Sequence, residues 1–243
     1  MANPPFVYNP PYTPYLNFLY RDDFMVVALK PSGLLSVPGR IEAHKDALIT
    51  RVNKVLPTAT VVHRLDMATS GIMVMALTKF SHRAISKQFE LRETKKRYFA
   101  RVYGHVDDDS GEIDLPLIVD YPNRPKQMVD HERGKPSVTH FDVITRAHDS
   151  ENRPYSLVAL RPITGRSHQL RVHMLSLGHP ILGDRLYAHD AALAMALRLQ
   201  LHAESLSLKH PKSNNWLNFQ STIPFSDYKP TPLTTFSSVK LFG

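Results

Sequence analysis

The segment His63-Arg64-Leu65-Asp66-Met67-Ala68-Thr69-Ser70-Gly71 sets a carboxylate beside an arginine and a histidine, on a short polar stretch between two apolar runs. A carboxylate so placed can stabilise or trap positive charge developing on a substrate carbon, as it does in glycosidases. The flanking runs, Thr60-Val61-Val62 and Ile72-Met73-Val74-Met75-Ala76-Leu77, are short and read as buried strands, with residues 68–71 as the turn between them. Buried strands would fix such a loop while leaving it exposed, which suits catalysis. The same residues also suit a plain turn in which the side chains bond the local backbone. Such turns are common, and spacing alone favours that structural role.

The surrounding elements read as strands and helices without repeats. Residues 24–29 form a short apolar strand ending at the turn Lys30-Pro31-Ser32-Gly33. Asp46 can cap a helix that carries Leu48, Ile49, Val52, Val55 and Leu56 on one face and stops at Pro57. Ser81 can cap a second helix, with Ala84, Ile85 and Phe89 facing inward. Along residues 97–103, alternation sends Tyr98, Ala100 and Val102 one way and Phe99, Arg101 and Tyr103 the other, a half-buried strand. Residues 111–135, rich in Pro, Asp and Asn, read as an ordered excursion. Strands follow at 138–145 and 155–163. A helix over 168–177 is stopped by Gly178 and Pro180, and 191–199 is another helix before a strand at 202–208. The first ~20 and last ~25 residues are Pro- and Ser/Thr-rich, and either move freely or wrap the core. No internal domain boundary is evident.

At 243 residues the chain can bury a large core without cross-links. It has no cysteine, which excludes disulfides and thiolate metal sites and agrees with a cytoplasmic location. Its start lacks the basic region and apolar core of a secretory signal. No apolar run approaches the ~20 residues that span a bilayer, so no membrane partner is expected. The net charge of +8 suggests a polyanionic partner, most simply nucleic acid. His168 and His173 are five residues apart, not the four that align two metal ligands on a helix, and no His-Glu-x-x-His occurs. Neither glycine-rich nucleotide motif is present, and Asp107-Asp108-Asp109-Ser110-Gly111 reads as a solvated turn. No cofactor and no metal are therefore expected.

Resemblance reverses the preference for a structural turn at Asp66. His63-Arg64-Leu65-Asp66, two residues, then Thr69-Ser70-Gly71 and an apolar strand, resembles the catalytic signature of the RNA pseudouridine synthases. Lys30-Pro31-Ser32-Gly33-Leu34 resembles that family's early loop motif, and Lys95-Lys96-Arg97-Tyr98 its tyrosine motif. Ile163-Thr164-Gly165-Arg166-Ser167-His168-Gln169-Leu170-Arg171-Val172-His173 resembles its arginine motif, and His179-Pro180-Ile181-Leu182-Gly183-Asp184 follows at the usual distance. Five motifs in the family's order are far more specific than one. The resemblance implies an α+β fold: a single catalytic domain over 21–218 with a mixed, largely antiparallel central sheet. Helices and loops flank that sheet, an RNA-binding cleft crosses its face, and extensions cover 1–20 and 219–243.

The resemblance also implies roles. The reaction cleaves the bond from N1 to the sugar carbon, turns the base, and joins C5 to the same carbon. Asp66 matches the catalytic aspartate, and either attacks the sugar carbon or removes the C2′ proton to give a glycal; the sequence does not choose. Arg171 matches the arginine that pairs with this carboxylate. Tyr98 matches the aromatic residue that removes the C5 proton or stacks on uracil. Arg64 matches the arginine that fills the space of a flipped base; its structural alternative is a salt bridge with Asp66 or Asp22. The alternatives for Tyr98 and Arg171 are a core aromatic and a solvated helix face. His63 is read as a structural hydrogen bond holding the loop. Arg166, Lys126, Arg124, Lys135 and Arg101 are read from charge as phosphate contacts.

Asn9-Pro10-Pro11, residues 19–23, residues 34–40 and residues 120–127 most resemble a member of the family that modifies large-subunit ribosomal RNA and a transfer-RNA anticodon stem-loop. About twenty residues precede the first strand, fewer than the ~50 of a small domain, so no appended RNA-binding module is expected. The implied partner is structured RNA, ribosomal or transfer stem-loops, with no obligate protein partner and a monomeric enzyme. The alternative is an RNA-binding or RNA-folding protein that keeps the synthase fold. A glycoside hydrolase is disfavoured, because one strong carboxylate is present where two are usual.

Overall fold

A computed structural model describes residues 7–232. Residues 1–6 and 233–243, parts of the expected N- and C-terminal extensions, lie outside the described residues. The fold is α+β with largely antiparallel strand pairing. Its chain forms two compact units from interleaved segments: residues 7–94 with 207–219, and 95–206 with 220–232.

In the first unit, β1 (Phe18–Arg21) and β2 (Met25–Lys30) form an antiparallel pair. Asp22 fixes the turn between them, its Oδ1 accepting the Phe24 and Met25 amides at 2.7 and 2.8 Å. Helix α1 (Leu48–Asn53) buries Leu48, Ile49 and Val52. Strand β3 (Thr60–Val61) leads to the loop holding Asp66, and β4 (Ser70–Ala76) leaves it. Strand β4 pairs antiparallel with β2, from Met25 opposite Ala76 to Lys30 opposite Gly71, and also pairs with β3. Every residue of β4 is buried, which is why it reads as a continuous apolar run and not as an alternation. Helix α2 (Lys79–Glu90) starts on a reciprocal cap: Thr78 Oγ1 accepts the Ser81 amide and Ser81 Oγ accepts the Thr78 amide, both at 3.0 Å.

The second unit contains β5 (Lys95–Tyr103), β6 (Ser110–Asp114), β7 (Leu117–Val119), β8 (Gln127–Val129), β9 (Val138–His148) and β10 (Pro154–Pro162). Four of these form an antiparallel sheet in the order β5-β10-β9-β6, while β7 and β8 form a separate hairpin. Helices α3 (Gln169–Ser176) and α4 (Asp190–Ala194) follow. Strand β11 (Leu201–Lys209) carries the chain back to the first unit and β12 (Trp216–Gln220) returns it. One cluster of the second unit's core joins Phe99, Leu157, Ala159 and Ile223. No helix among the described residues is long and apolar enough to cross a membrane.

Several local expectations need correction. Helix α1 has no side-chain cap: its first residue follows Ala47, and Asp46 instead binds the Arg51 guanidinium at 2.8 and 2.7 Å. The helix ends at Asn53, so Val55 falls beyond its inner face and is exposed. Ser81 is the third residue of the α2 cap, with Thr78 the cap itself. The helix expected over 191–199 stops at Ala194. There the chain turns to lay its backbone on Gly183, where an added Cβ would lie 2.2 Å from the Arg198 carbonyl oxygen. Strand β12 is absent from the sequence reading, although its burial alternates. The boundaries drawn at 20/21 and 218/219 fall inside β1 and β12. As far as they are described, both flanking segments pack. Tyr8 donates to the Asp46 carbonyl at 2.7 Å in the first unit, and Ile223 sits in the core of the second.

Candidate active site

In the first unit, the loop between β3 and β4 is gripped from behind by residues 30–36. Lys30, 1 % exposed, points its ammonium into this grip and donates to the carbonyls of Pro31, Leu34 and Met67 at 3.0, 2.6 and 2.9 Å. The Gly33 amide also donates to Met67 O at 2.9 Å. Gly33 holds φ of +88°, a conformation that side chains other than glycine's resist. Ser32 Oγ donates to Ala68 O at 2.6 Å. Ser36 Oγ donates to Leu65 O at 2.6 Å and accepts the Leu65 amide at 3.1 Å. The Thr69 amide closes the turn on Asp66 O at 3.1 Å. The backbone on both sides of Asp66 is thus fixed, while the Asp66 side chain is only half-buried. A carboxylate held this way meets a developing charge with little reorganisation.

Arg64 is exposed and pairs with no carboxylate among the described residues, which removes the salt-bridge reading. Asp22 is committed elsewhere: its Oδ2 accepts Tyr20 Oη at 2.6 Å and His210 Nε2 at 2.7 Å. Burial works to raise the Asp22 carboxyl, but these bonds and the two turn amides outweigh it and hold it below the usual range. His63 is structural, as expected. Its Nε2 accepts the Val74 amide at 3.1 Å, and its ring stacks on Phe89 at 4.5 Å.

In the second unit, Tyr98 lies half-buried near the start of β5, opposite Leu160 of β10. Its neighbour Phe99 is the core aromatic, only 1 % exposed, so the core-aromatic reading belongs to Phe99. Arg171 lies in α3, a helix buried on all sides from Gln169 to Met174. The solvated-face reading of Arg171 is therefore excluded. The start of α3 is built by Gln169. Its Oε1 accepts from Thr164 Oγ1 and the Arg166 amide at 2.7 and 3.0 Å, and its Nε2 donates to Val138 O and Thr139 Oγ1, both at 2.9 Å.

Arg171 forms a two-pronged ion pair with Asp184, at 2.8 Å from Nε and 2.6 Å from Nη2, both residues almost fully buried. Its guanidinium carbon also lies 4.9 Å from the centre of the Tyr187 ring. In the sequence Asp184 stands in a motif with no role attached, and nothing there singles out Tyr187. The available signal is chemical: a buried arginine requires a buried acceptor.

Arg124 is exposed and stacks at 3.7 Å on the ring of Tyr121. Lys126 immediately precedes β8, and Arg166 is exposed at the start of the α3 segment. Lys135 is exposed. Arg101 is half-buried, and its guanidinium packs 4.8 Å over the Tyr155 ring with a buried Nε. His173 is buried between Thr139 Oγ1 and Leu115 O at 3.0 and 3.2 Å, and burial lowers its pKa. No cluster of three or more metal-binding side chains exists among the described residues. Arg64 and Asp66 thus belong to the first unit, and Tyr98, Arg171, Arg166, Lys126 and Arg124 to the second.

Residues 24–176 match the family described as RNA pseudouridylate synthase. The dual-specificity RNA pseudouridine synthase RluA of Salmonella typhimurium is 57% identical over 218 residues, 90% of this chain and 98% of that protein. The protein of the same name from Escherichia coli K12 matches to the same extent. Human RNA pseudouridylate synthase domain containing 1 has a similar structure, with a TM-score of 0.73 at 28% identity, covering 93% of this chain and 88% of that one. Human RNA pseudouridylate synthase domain containing 4 follows at 0.68 and 25%, covering 86% and 89%. The match over more than half of the chain and the identity over nine-tenths of it show that this chain belongs to the RNA pseudouridylate synthase family, isomerases that form pseudouridine in RNA.

Proposed function

We propose that this protein isomerises specific uridines in large-subunit ribosomal RNA and in a transfer-RNA anticodon stem-loop, with Asp66 as the catalytic carboxylate. The observation that carries this reading is the grip of Lys30, Ser32, Gly33 and Ser36 on the Asp66 loop, stronger than a solvated turn requires. The relative named dual-specificity supports two RNA targets, because 98% of its length aligns with this chain.

In this reading a uridine leaves its stack and Arg64 fills its place, at a stacking cost of a few kcal/mol. Asp66 attacks the sugar carbon or takes its C2′ proton as the bond to N1 breaks. The base turns, C5 joins the sugar, and Tyr98 removes the proton left on C5. The reaction is an isomerisation: atoms and electrons balance without cofactor or metal. Arg171, fixed by Asp184, is the motif's arginine and counts among the residues that serve the reaction. Arg124, Lys126 and Arg166 meet phosphates. The enzyme works as a monomer in the cytoplasm.

The test is to incubate both stem-loops with wild-type protein and with Asp66→Asn, and to map pseudouridine at single-nucleotide resolution. Product from the wild type alone supports the reading. Binding by both without product from either overturns it in favour of an RNA-binding protein that keeps the fold.

A further inference from the structure

Tyr187 joins three segments of the second unit. Its hydroxyl oxygen accepts the Gln127 amide at 2.7 Å, at the first residue of β8. The same hydroxyl lies 2.6 Å from His168 Nδ1, at the residue before α3. Its ring underlies the Arg171 guanidinium at 4.9 Å. Asp184, which grips Arg171 from the side, also accepts the Leu186 and Tyr187 amides at 2.9 and 3.3 Å. Arg171 is therefore boxed by a carboxylate and a ring that belong to one short turn, and that turn is tied to the strand next to Lys126.

His168 strengthens the case that this junction is held for a purpose. It adopts φ of 54° and ψ of 15°, left-handed values that non-glycine residues avoid. Its imidazole offers no cap to the α3 backbone and turns instead to Tyr187. A helix start that gives up a side-chain cap and adopts a strained backbone needs compensation, and the Tyr187 bond provides it.

We propose that Tyr187 is a positioning residue that transmits the seating of RNA on the loop of Arg124 and Lys126 to the orientation of Arg171. The proposal rests on the roles given above to Arg171 and to the 120–126 loop. Phosphates bound by Arg124 and Lys126 fix β8, the Gln127 amide then fixes the Tyr187 hydroxyl, and the ring fixes the guanidinium. A misplacement of about 1 Å in such a group lowers a rate roughly 100-fold. The coupling therefore makes turnover depend on correct RNA seating as well as on affinity.

The experiment is a double-mutant cycle on one stem-loop, read as kcat and KM separately. Tyr187→Phe keeps the ring under Arg171 and removes the hydroxyl that meets Gln127 and His168. The expected result is a loss of roughly 10- to 100-fold in kcat with KM nearly unchanged and a small shift in Tm. Arg124→Ala/Lys126→Ala is expected to raise KM and lower kcat in the wild-type background. In the Tyr187→Phe background its kcat effect should largely vanish, because the path is already cut. Losses that multiply independently, a loss confined to KM, or a wild-type kcat overturn the proposal. Should Tyr187→Phe not fold, Gln127→Pro removes the amide that the Tyr187 hydroxyl accepts, at the first residue of β8, and carries the same expectation. Arg171→Ala separates the levels. Full turnover by that variant sinks the role of Arg171 itself, whereas lost turnover beside a normal Tyr187→Phe sinks only the coupling.

Discussion

At the residue scale, Asp66 and Arg64 make opposite demands. In the proposed role Asp66 acts through its charge, while the grip on its loop comes from Lys30, Ser32, Gly33 and Ser36. Asp66→Asn is therefore expected to fold normally, to bind RNA within a few-fold of wild type, and to lose at least ~10³-fold in turnover. Turnover by a pure Asp66→Asn sample would remove Asp66 from the reaction. Arg64 bonds to no group among the described residues, so its value lies in what it meets on RNA. Arg64→Ala should slow conversion of a stem-loop by roughly 10- to 100-fold, matching an unstacking cost of a few kcal/mol, and barely affect a flexible strand. Equal losses on both substrates would contradict the wedge role. These two residues were legible because they stand together in one short motif. Asp184 and Tyr187 were not, because the burial that makes Arg171 need them comes from tertiary packing that no local spacing reveals. Tyr98 shows the same limit: alternation grouped it with Ala100 and Val102, which are fully buried, yet Tyr98 lies near the strand's open end.

At the element scale, the Asp66 loop depends on the turn after β2. Ser36 is buried, and its hydroxyl serves both the amide and the carbonyl of Leu65. Ser36→Ala strands both groups, and an unsatisfied buried polar group costs about 1–3 kcal/mol. The expected outcome is an unfolding free energy lowered by that amount, faster hydrogen exchange at the Leu65 amide, and reduced kcat with RNA affinity kept. An unchanged exchange rate would show that Ser36 does not hold the loop. This grip was only half legible. The two motifs were visible in sequence, but their mutual bonding was not, since some 35 residues separate the partners and only the pairing of β2 with β4 brings them together. Short elements failed for a related reason: α4 ended early because Gly183 draws the following backbone onto itself, an override of helix propensity by a close backbone contact.

At the scale of the whole molecule, charge sets two behaviours. The net charge of +8 and the exposed Arg64, Arg124 and Arg166 predict that log affinity for RNA falls as log salt rises, with a slope near −0.7 per phosphate neutralised on single strands. A binding constant independent of salt between 50 and about 200 mM would contradict phosphate contacts. The second behaviour is stability against acid. Burial, reinforced by the nearby Arg198 cation, pushes the His202 imidazole down to about 3. In the unfolded chain the same group titrates near ~6.5. Between these values the unfolded state binds more protons, so stability is complete above about pH 6.5 and is lost as pH falls toward 3, at up to ~1.4 kcal/mol per pH unit. His173, also lowered by burial, acts with the same sign. Asp22, held low by its hydrogen bonds, adds to the loss only further down, as its carboxylate protonates. The unfolding temperature is therefore expected to be level above pH 7 and to drop steadily from pH 6.5 to 4. His202→Gln can keep a bond to Ser221 Oγ, which His202 Nε2 meets at 2.9 Å, and removes the titrating group. That variant should flatten the upper part of the decline. If it instead follows the wild-type curve throughout, the acid sensitivity originates at another group and the burial argument for His202 fails.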